Sequence, residues 1–185
     1  MSVPEVFRRI AAKLDEAGVS YMVTGSFASA LYGSARSTQD IDIVIAATVE
    51  QLRSFNQILG HEYYAELEAA LEACRRESLF NVIDGISGWK IDLIFRKSRS
   101  FSQEEFRRRQ RVKFHGVELF VASAEDVIIA KLEWAKVGES ERQIQDVAAI
   151  LHIRGSLLDQ SYIEKWILQL GLAEQWTAAK RAAAI

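Results

Sequence analysis

The sequence has little of several residue types that define whole classes of proteins. A single cysteine, Cys74, excludes an intrachain disulfide and a multi-cysteine zinc site. The three histidines lie far apart, without the spacing of zinc ligands. One proline in 185 residues, of which 49% are apolar, excludes collagen-like, low-complexity and disordered chains. The scarcity of cysteine fits a reducing compartment, and we expect a cytoplasmic protein.

The sequence also lacks an excess of one charge and a long apolar run. It has 23 Lys and Arg against 25 Asp and Glu, which leaves a formal charge of −2 and no global positive field for nucleic acid or membrane. No run approaches the roughly 18 apolar residues of a membrane span, and charged residues such as Arg8 interrupt the first segment where a signal peptide would be apolar. We therefore expect a soluble, unprocessed chain with no membrane partner.

Apolar periodicity predicts a mixed α/β core over residues 1–122, followed by a helical subdomain over residues 123–185. Alternating apolar residues are typical of strands, and apolar residues at three- and four-residue spacing are typical of helices. The predicted strands are 21–24, 40–45, 79–83, 89–95 and two short segments that flank His115 and Gly116. The predicted helices are 6–14, 27–32, 49–59, 66–77, 102–109, 124–136, 141–152, 159–170 and 173–182.

Three aspartates interrupt strands that are otherwise apolar. Asp40 and Asp42 alternate with isoleucines and therefore project from one face, and Asp92 lies inside another predicted strand. Burying such anions is costly without a cation, and Mg²⁺ prefers carboxylate and phosphate oxygens. Two such ions would clamp an in-line phosphoryl-type displacement. The alternative is structural: Asp40 would merely begin its strand, Asp42 would pair with Arg36, and Asp92 with Lys90.

A glycine and a serine follow the first predicted strand. Gly25 and Ser26 stand where this strand turns into a short helix. Glycine allows close approach of the backbone to a phosphate, and the amides at a helix start favour an anion. The pair is therefore a candidate phosphate site, with ordinary turn chemistry as the alternative.

These features together resemble a known family. The pattern is Gly25-Ser26, thirteen residues, Asp40-Ile41-Asp42 and later Lys90-Ile91-Asp92-Leu93. It resembles the signature of the polymerase-β-like nucleotidyltransferase superfamily, and the spelling around it is most similar to the bacterial stand-alone branch that includes the AbiEii-type toxins. The resemblance covers about residues 20–150. It implies a short mixed β-sheet flanked by helices, with a helical C-terminal part.

The resemblance also implies an activity and roles for residues. The superfamily transfers a nucleoside monophosphate from an NTP to an acceptor, with two Mg²⁺ ions, and releases pyrophosphate. By position, Asp40 and Asp42 match its first two metal-binding carboxylates, and Asp92 matches the third, which helps to activate the acceptor hydroxyl. Gly25 and Ser26 match the turn that holds the triphosphate.

Three further residues are candidates near the nucleotide. Lys131 is similar to a lysine of the helical segment in the toxin branch, and we expect it to contact phosphate. Asp146 is similar to an aspartate there, but the residues after Arg142 lack the usual lysine–aspartate pair, so its role stays open. Arg36 would reach either a carboxylate or the NTP phosphates, since a guanidinium suits both. An exposed lysine and a helix-surface acid are the alternatives for Lys131 and Asp146.

A basic stretch between Arg96 and Lys113 follows the third aspartate. It indicates a surface for a polyanionic acceptor such as tRNA, with a solvated helix face as the alternative. Our leading hypothesis is thus a Mg²⁺-dependent nucleotidyltransferase that acts on RNA, a protein or a small molecule. A partner protein of a toxin–antitoxin pair is a further expected partner. The alternative is a non-catalytic nucleotide-binding or antitoxin-like module on the same scaffold. The eight basic residues are Arg96, Lys97, Arg99, Arg107, Arg108, Arg109, Arg111 and Lys113.

Overall fold

The structure, a computed structural model of the chain, describes residues 2–34, 37–38 and 40–184. Strands and helices occur in nearly the order that the periodicity predicts. The strands are β1 (Ser20–Val23), β2 (Asp40–Ala46), β3 (Tyr63–Tyr64), β4 (Leu79–Asp84), β5 (Lys90–Phe95), β6 (Gln110–Phe114) and β7 (Val117–Val121). The helices are α1 (Val3–Glu16), α2 (Gly25–Leu31), α3 (Val49–Leu59), α4 (Leu67–Arg76), α5 (Ser100–Arg107), α6 (Ala124–Gly138), α7 (Glu141–Arg154), α8 (Gln160–Leu170) and α9 (Ala173–Ala182).

In the described part of the chain, seven strands form one sheet in the order β3-β4-β5-β2-β1-β7-β6. The central strand β2 is parallel to β5 and antiparallel to β1, and β1 is parallel to β7. The two ends of the sheet are antiparallel, with β3 and β4 beyond β5, and β6 beyond β7. The predicted fold class, a mixed sheet flanked by helices with a helical C-terminal part, is confirmed.

The described residues form two compact units. The first, residues 2–24 and 38–121, contains the whole sheet; the second contains residues 25–34, residue 37 and residues 122–184. Residues 25–34 and residue 37 are thus grouped with the C-terminal helices, whereas the periodicity predicted them in the core of residues 1–122. The physical basis is contact between α2 and α6, because the small residues Ala28 and Ser29 of α2 are fully buried.

The sheet of the first unit has a buried face and a partly exposed face. Ile41, Ile43 and Ile45 of β2 are at most 1% exposed, and the alternate residues of β5 are buried beside them. Helices α1, α3 and α4 contact one another in succession and pack on this unit, with α4 against β4 and β5. Burial of the isoleucine side of β2 therefore turns its aspartates toward the other face.

The β6–β7 hairpin confirms the prediction of strands around His115 and Gly116. Phe114 pairs with Val117, so the loop has two residues, and their φ angles are +45° and +85°. Positive φ at both positions is typical of the type I′ turn that suits the twist of a hairpin. Strand β3 was not predicted, because two residues cannot display a two-residue period.

The second unit is helical. Ile128, Leu132 and Val147 are fully buried where α6 and α7 pack together, and α6 also contacts α8. The predicted capped start of α6 is confirmed, because the Ser123 hydroxyl accepts a hydrogen bond from the Asp126 backbone N–H at 3.2 Å. The Tyr162 hydroxyl of α8 donates a hydrogen bond to the carboxylate of Asp126, at 2.6 Å.

Candidate functional site

Strands β2 and β5 bring the three predicted aspartates onto one face of the sheet. In their parallel register Asp42 pairs with Asp92, and Asp40 pairs with Lys90. Neighbouring strands lie about 4.8 Å apart, and residues opposite each other share a face. Asp42 and Asp92 are therefore direct neighbours, and Asp40 precedes Asp42 by one side-chain repeat. We call Asp40, Asp42, Lys90 and Asp92 the sheet cluster.

Lys90 connects two of these carboxylates. Its ammonium nitrogen Nζ lies 3.4 Å from Asp40 Oδ1 and 3.2 Å from Asp92 Oδ2. Burial lowers the pKa of Lys90, but the hydrogen bond and charge of Asp92, and then the charge of Asp40, outweigh it and raise the pKa above its ordinary value. The lysine is thus charged at neutral pH and neutralises part of the cluster. The Lys90–Asp92 pairing, considered as a structural alternative in the sequence analysis, is present.

Asn81 is a member of this environment that the sequence analysis missed. It pairs with Asp92 in the β4–β5 register, and its side-chain amide donates to Asp92 Oδ1. Lys90 holds the other oxygen, Oδ2. Both oxygens of Asp92 are therefore oriented by neighbours on the same sheet. The available signal was a polar residue at an exposed position of an alternating strand, which is too common to single out Asn81.

The backbone of Asp42 is fixed by the end of β1. The amide of Thr24 donates to the Asp42 carbonyl at 2.9 Å, one step beyond the β1–β2 pairing of Val23 with Ile43. Asp42 therefore sits at a position where backbone pairing continues on both sides of β2.

The predicted glycine–serine turn belongs to the second unit. Gly25 starts α2 with a φ of +62°, a conformation that favours glycine. Ser26 is buried, and the Ser29 hydroxyl donates to the Gly25 carbonyl at 2.9 Å. A role of Gly25 and Ser26 in holding phosphate stays a prediction. Arg36, a predicted nucleotide contact, lies outside the described residues.

Lys131 and Asp146 form a buried ion pair in the second unit. Lys131 Nζ lies 2.7 Å from Asp146 Oδ2, with 5% and 6% of the two side chains exposed, and it also donates to Gln143 Oε1 at 2.9 Å. The other Asp146 oxygen accepts from the Ser34 hydroxyl at 2.8 Å. The exposed lysine and surface acid considered as alternatives are thus wrong, because both groups are buried. A phosphate contact of Lys131 stays a prediction.

The basic stretch does not form one continuous cationic strip. Arg107 pairs with Glu104, and Arg111 lies 3.4 Å from Glu118. Arg109 stacks on the rings of Phe106 and Phe120, with its guanidinium carbon 4.4 Å and 5.0 Å from their centroids. Burial, and then the charge of Arg96, lower the pKa of Arg109. Much of this positive charge is therefore neutralised or used in packing.

The donor set of the sheet cluster suits a hard divalent cation. Its carboxylates share one face, and the Lys90 ammonium already stands as a cation between Asp40 and Asp92. In the arrangement described for residues 2–34, 37–38 and 40–184, no three His, Cys, Asp or Glu side chains are grouped so that they could hold a metal ion. The same ranges contain no helix long and apolar enough to span a membrane.

Comparison with solved structures finds nucleotidyltransferases among the similar folds. An antigenic nucleotidyltransferase-like protein from Paracoccidioides brasiliensis aligns with a TM-score of 0.55 and 16% identity, covering 96% of this chain and 91% of that one. A candidate nucleotidyltransferase from Thermotoga maritima aligns with a TM-score of 0.53 and 22% identity, covering 76% and 91%. The lincosamide antibiotic adenylyltransferase LnuA, in its lincomycin-bound structure, aligns with a TM-score of 0.52 and 13% identity, covering 83% and 98%. At these identities the likeness shows the fold.

Sequence comparison identifies the family. No curated protein matches the chain. The finer assignment to the AbiEii-type branch is not confirmed and stays a prediction. The family described as "Nucleotidyltransferase of unknown function (DUF6036)" matches residues 2–179. Because this match spans nearly the whole chain and agrees with the fold, the chain belongs to this nucleotidyltransferase family.

Proposed function

We propose that the protein transfers a nucleoside monophosphate from an NTP to an acceptor hydroxyl and releases pyrophosphate at the sheet cluster. The observation that carries this proposal is the in-register pairing of Asp42 with Asp92, with Asp40 on the same face. Carboxylates from two adjacent strands then lie side by side on one face of the sheet, and a phosphoryl-transfer site needs such groups as cation ligands and as a proton acceptor.

Asp40, Asp42 and Asp92 would hold Mg²⁺, and the resemblance implies two ions. When bound, Mg²⁺ supplies positive charge that offsets the charge of the triphosphate. The chain's own contribution is the fixed position of three carboxylates on rigid, hydrogen-bonded strands, with the buried isoleucine face behind them. Such preorganisation lowers the cost of assembling the site.

Asp92 would accept the proton of the acceptor hydroxyl. The hydroxyl oxygen bonds to the α-phosphorus, the bond from this phosphorus to the oxygen shared with the β-phosphate breaks, and pyrophosphate leaves with the electron pair. The Asn81 side-chain amide donates to one oxygen of Asp92, so the carboxylate is oriented before the acceptor arrives. Gly25, Ser26, Arg36 and Lys131 remain the predicted contacts to the phosphates.

The surroundings of Asp92 favour a small acceptor with apolar surface. Leu79 and Ile83 flank Asn81 on the same side of β4, and Tyr64 pairs with Ile83; their exposed fractions are 45%, 39% and 62%. A sugar–phosphate backbone would need cations there, whereas apolar side chains suit an uncharged ring or alkyl group. RNA bound through the Arg96–Lys113 stretch is the second acceptor class, and a toxin–antitoxin role and a cytoplasmic location stay predictions.

Transfer of label from α-³²P-NTPs to separate RNA, protein and small-molecule fractions tests the function and the acceptor class. We expect pyrophosphate release, an RNase-resistant labelled product, and no turnover by Asp42→Asn. Leu79→Ser should reduce labelling several-fold more than Leu168→Ser, a control at a leucine that is 83% exposed on α8. An RNase-sensitive product would show that the acceptor is RNA. Full turnover by Asp42→Asn would show that the sheet cluster is not the active site.

A non-catalytic module is the second candidate, and one observation favours it. The single positive charge of Lys90 is shared between two of the carboxylates, which would also suit a scaffold that binds a nucleotide without reacting. Calorimetry with Mg·ATP, followed by a pyrophosphate assay on the same sample, separates the two functions. Binding without pyrophosphate release in the presence of all acceptor fractions would favour the module.

A further inference from the structure

The Lys90 ammonium contacts two of the carboxylates that the proposed function takes as ligands of Mg²⁺. It lies within 3.4 Å of Asp40 Oδ1 and within 3.2 Å of Asp92 Oδ2. A divalent cation held by these carboxylates would lie close to the ammonium and be repelled by it strongly. One cation at a time can therefore occupy this position between β2 and β5.

The register makes this position a consequence of the fold. Lys90 and Asp40 are paired residues on adjacent parallel strands, and Asp92 is the next residue of β5 on the same face. The lysine therefore cannot face away from the aspartates without a change of strand register. A flexible four-carbon stem can still move the ammonium into water, because 42% of the Lys90 side chain is exposed.

The pairing contributes little to the stability of the fold. About half of the Asp40 side chain is exposed, at 48%, and ion pairs at such exposure contribute little to stability. Asp92 is the less exposed partner, at 15%. The strands are held by their ladder and by the buried Ile41, Ile43 and Ile45. An apolar residue would serve a purely structural purpose at position 90, so the positive charge at this point calls for another explanation.

We propose that Lys90 is an internal counter-cation: it holds the carboxylates together in the metal-free protein and is displaced when a divalent cation binds. This inference rests on the proposed function only in taking Asp40, Asp42 and Asp92 as the cation ligands. Lys90 thus lowers the affinity for metal and prevents the aspartates from repelling one another.

Calorimetric titration of the nucleotide-free, full-length protein with Mn²⁺ alone tests the proposal. Lys90→Met removes the charge and keeps a linear side chain, and Lys90→Arg keeps the charge. We expect Lys90→Met to bind Mn²⁺ about tenfold more tightly than wild type, because one competing charge is gone, and Lys90→Arg to bind no more tightly than wild type. Equal or weaker binding by folded Lys90→Met would overturn the proposal, as would an absence of binding in every variant.

Two controls separate this inference from the proposed function. Adding Asp42→Asn to Lys90→Met should abolish the gained affinity; if the gain persists, the ion binds elsewhere and the proposal is refuted. Lys90→Gln is the second variant, to be used if circular dichroism shows that Lys90→Met does not fold. If Lys90→Met binds Mn²⁺ more tightly but wild type turns over no nucleotide, the proposed enzyme activity is refuted and the displacement of Lys90 is supported. If wild type turns over nucleotide but Lys90→Met does not bind Mn²⁺ more tightly, the displacement of Lys90 is refuted and the enzyme activity is supported.

Discussion

The two units each contain a lysine paired with aspartate, and the two pairs differ in their access to water. In the sheet cluster, Lys90 and Asp40 are 42% and 48% exposed, whereas Lys131 and Asp146 of the helical unit are 5% and 6% exposed. Exposed charges can exchange their partner for a bound ion at low cost, but a buried charge without its partner is strongly unfavourable. The same two residue types therefore suit a reactive site in one unit and internal structure in the other.

The largest expected effect is the loss of activity in Asp92→Asn. Removal of the group that accepts the hydroxyl proton should lower kcat roughly 10²–10⁴-fold, while the melting temperature stays close to that of wild type. Pyrophosphate release and thermal unfolding measure the two effects. Asp15→Asn, an isosteric change at an exposed position of α1, is the matched control and should keep full activity. More than a tenth of wild-type turnover in Asp92→Asn would remove Asp92 from the reaction.

Lys131→Met should instead act on stability. It leaves the Asp146 carboxylate buried without its cation, which costs about 3–5 kcal/mol and lowers the melting temperature by roughly 10 °C. Lys90→Met should lower the free energy of unfolding much less, because Lys90 and Asp40 are 42% and 48% exposed and Asp92, at 15%, keeps its hydrogen bond from Asn81. Urea unfolding of the two variants in parallel measures the difference.

The double variant Lys131→Met/Asp146→Leu sharpens this test. Replacing both charges with apolar groups removes the buried carboxylate that Lys131→Met leaves without the lysine, so the double variant should regain much of the stability that Lys131→Met loses. Ser34 and Gln143 then lose their partners, and the recovery should be incomplete. Equal effects of Lys131→Met and Lys90→Met would contradict the contrast between the two pairs.

The smallest expected effect concerns two tyrosines in similarly contrasting environments. Burial raises the pKa of Tyr32 to about 12. The pKa of Tyr64, at the exposed end of the sheet, is raised mainly by its hydrogen bond to Glu66. The Tyr32 contribution to stability should be complete below about pH 10, the pKa in the unfolded chain, and should be lost as pH rises toward 12. Burial raises the pKa of Tyr21 and Tyr63 to about 12 as well, so the phenolate absorbance change near pH 12 should be smaller in Tyr32→Phe than in wild type rather than absent. Loss of an earlier transition instead would show that Tyr32 is accessible to water.

Local patterns predicted most of the fold. The alternation around Ile41 and Ile43 predicted β2 and the shared face of Asp40 and Asp42, because side-chain direction in a strand depends only on a two-residue period. The C-terminal helices were predicted in a similar way, because side-chain direction in a helix depends only on a period of 3.6 residues. The strand at Tyr63–Tyr64 escaped prediction, since its existence depends on pairing with β4 rather than on its own pattern.

The sequence by itself determined which side chains lie on a common face, and it identified Asp40, Asp42 and Asp92 as unusual. Only the tertiary structure decided that Asp92 stands opposite Asp42, that Lys90 joins Asp40 to Asp92, and that Lys131 is buried against Asp146. The reason is physical: the direction of a side chain follows from the local backbone, whereas register and burial depend on packing between segments that are distant in the chain.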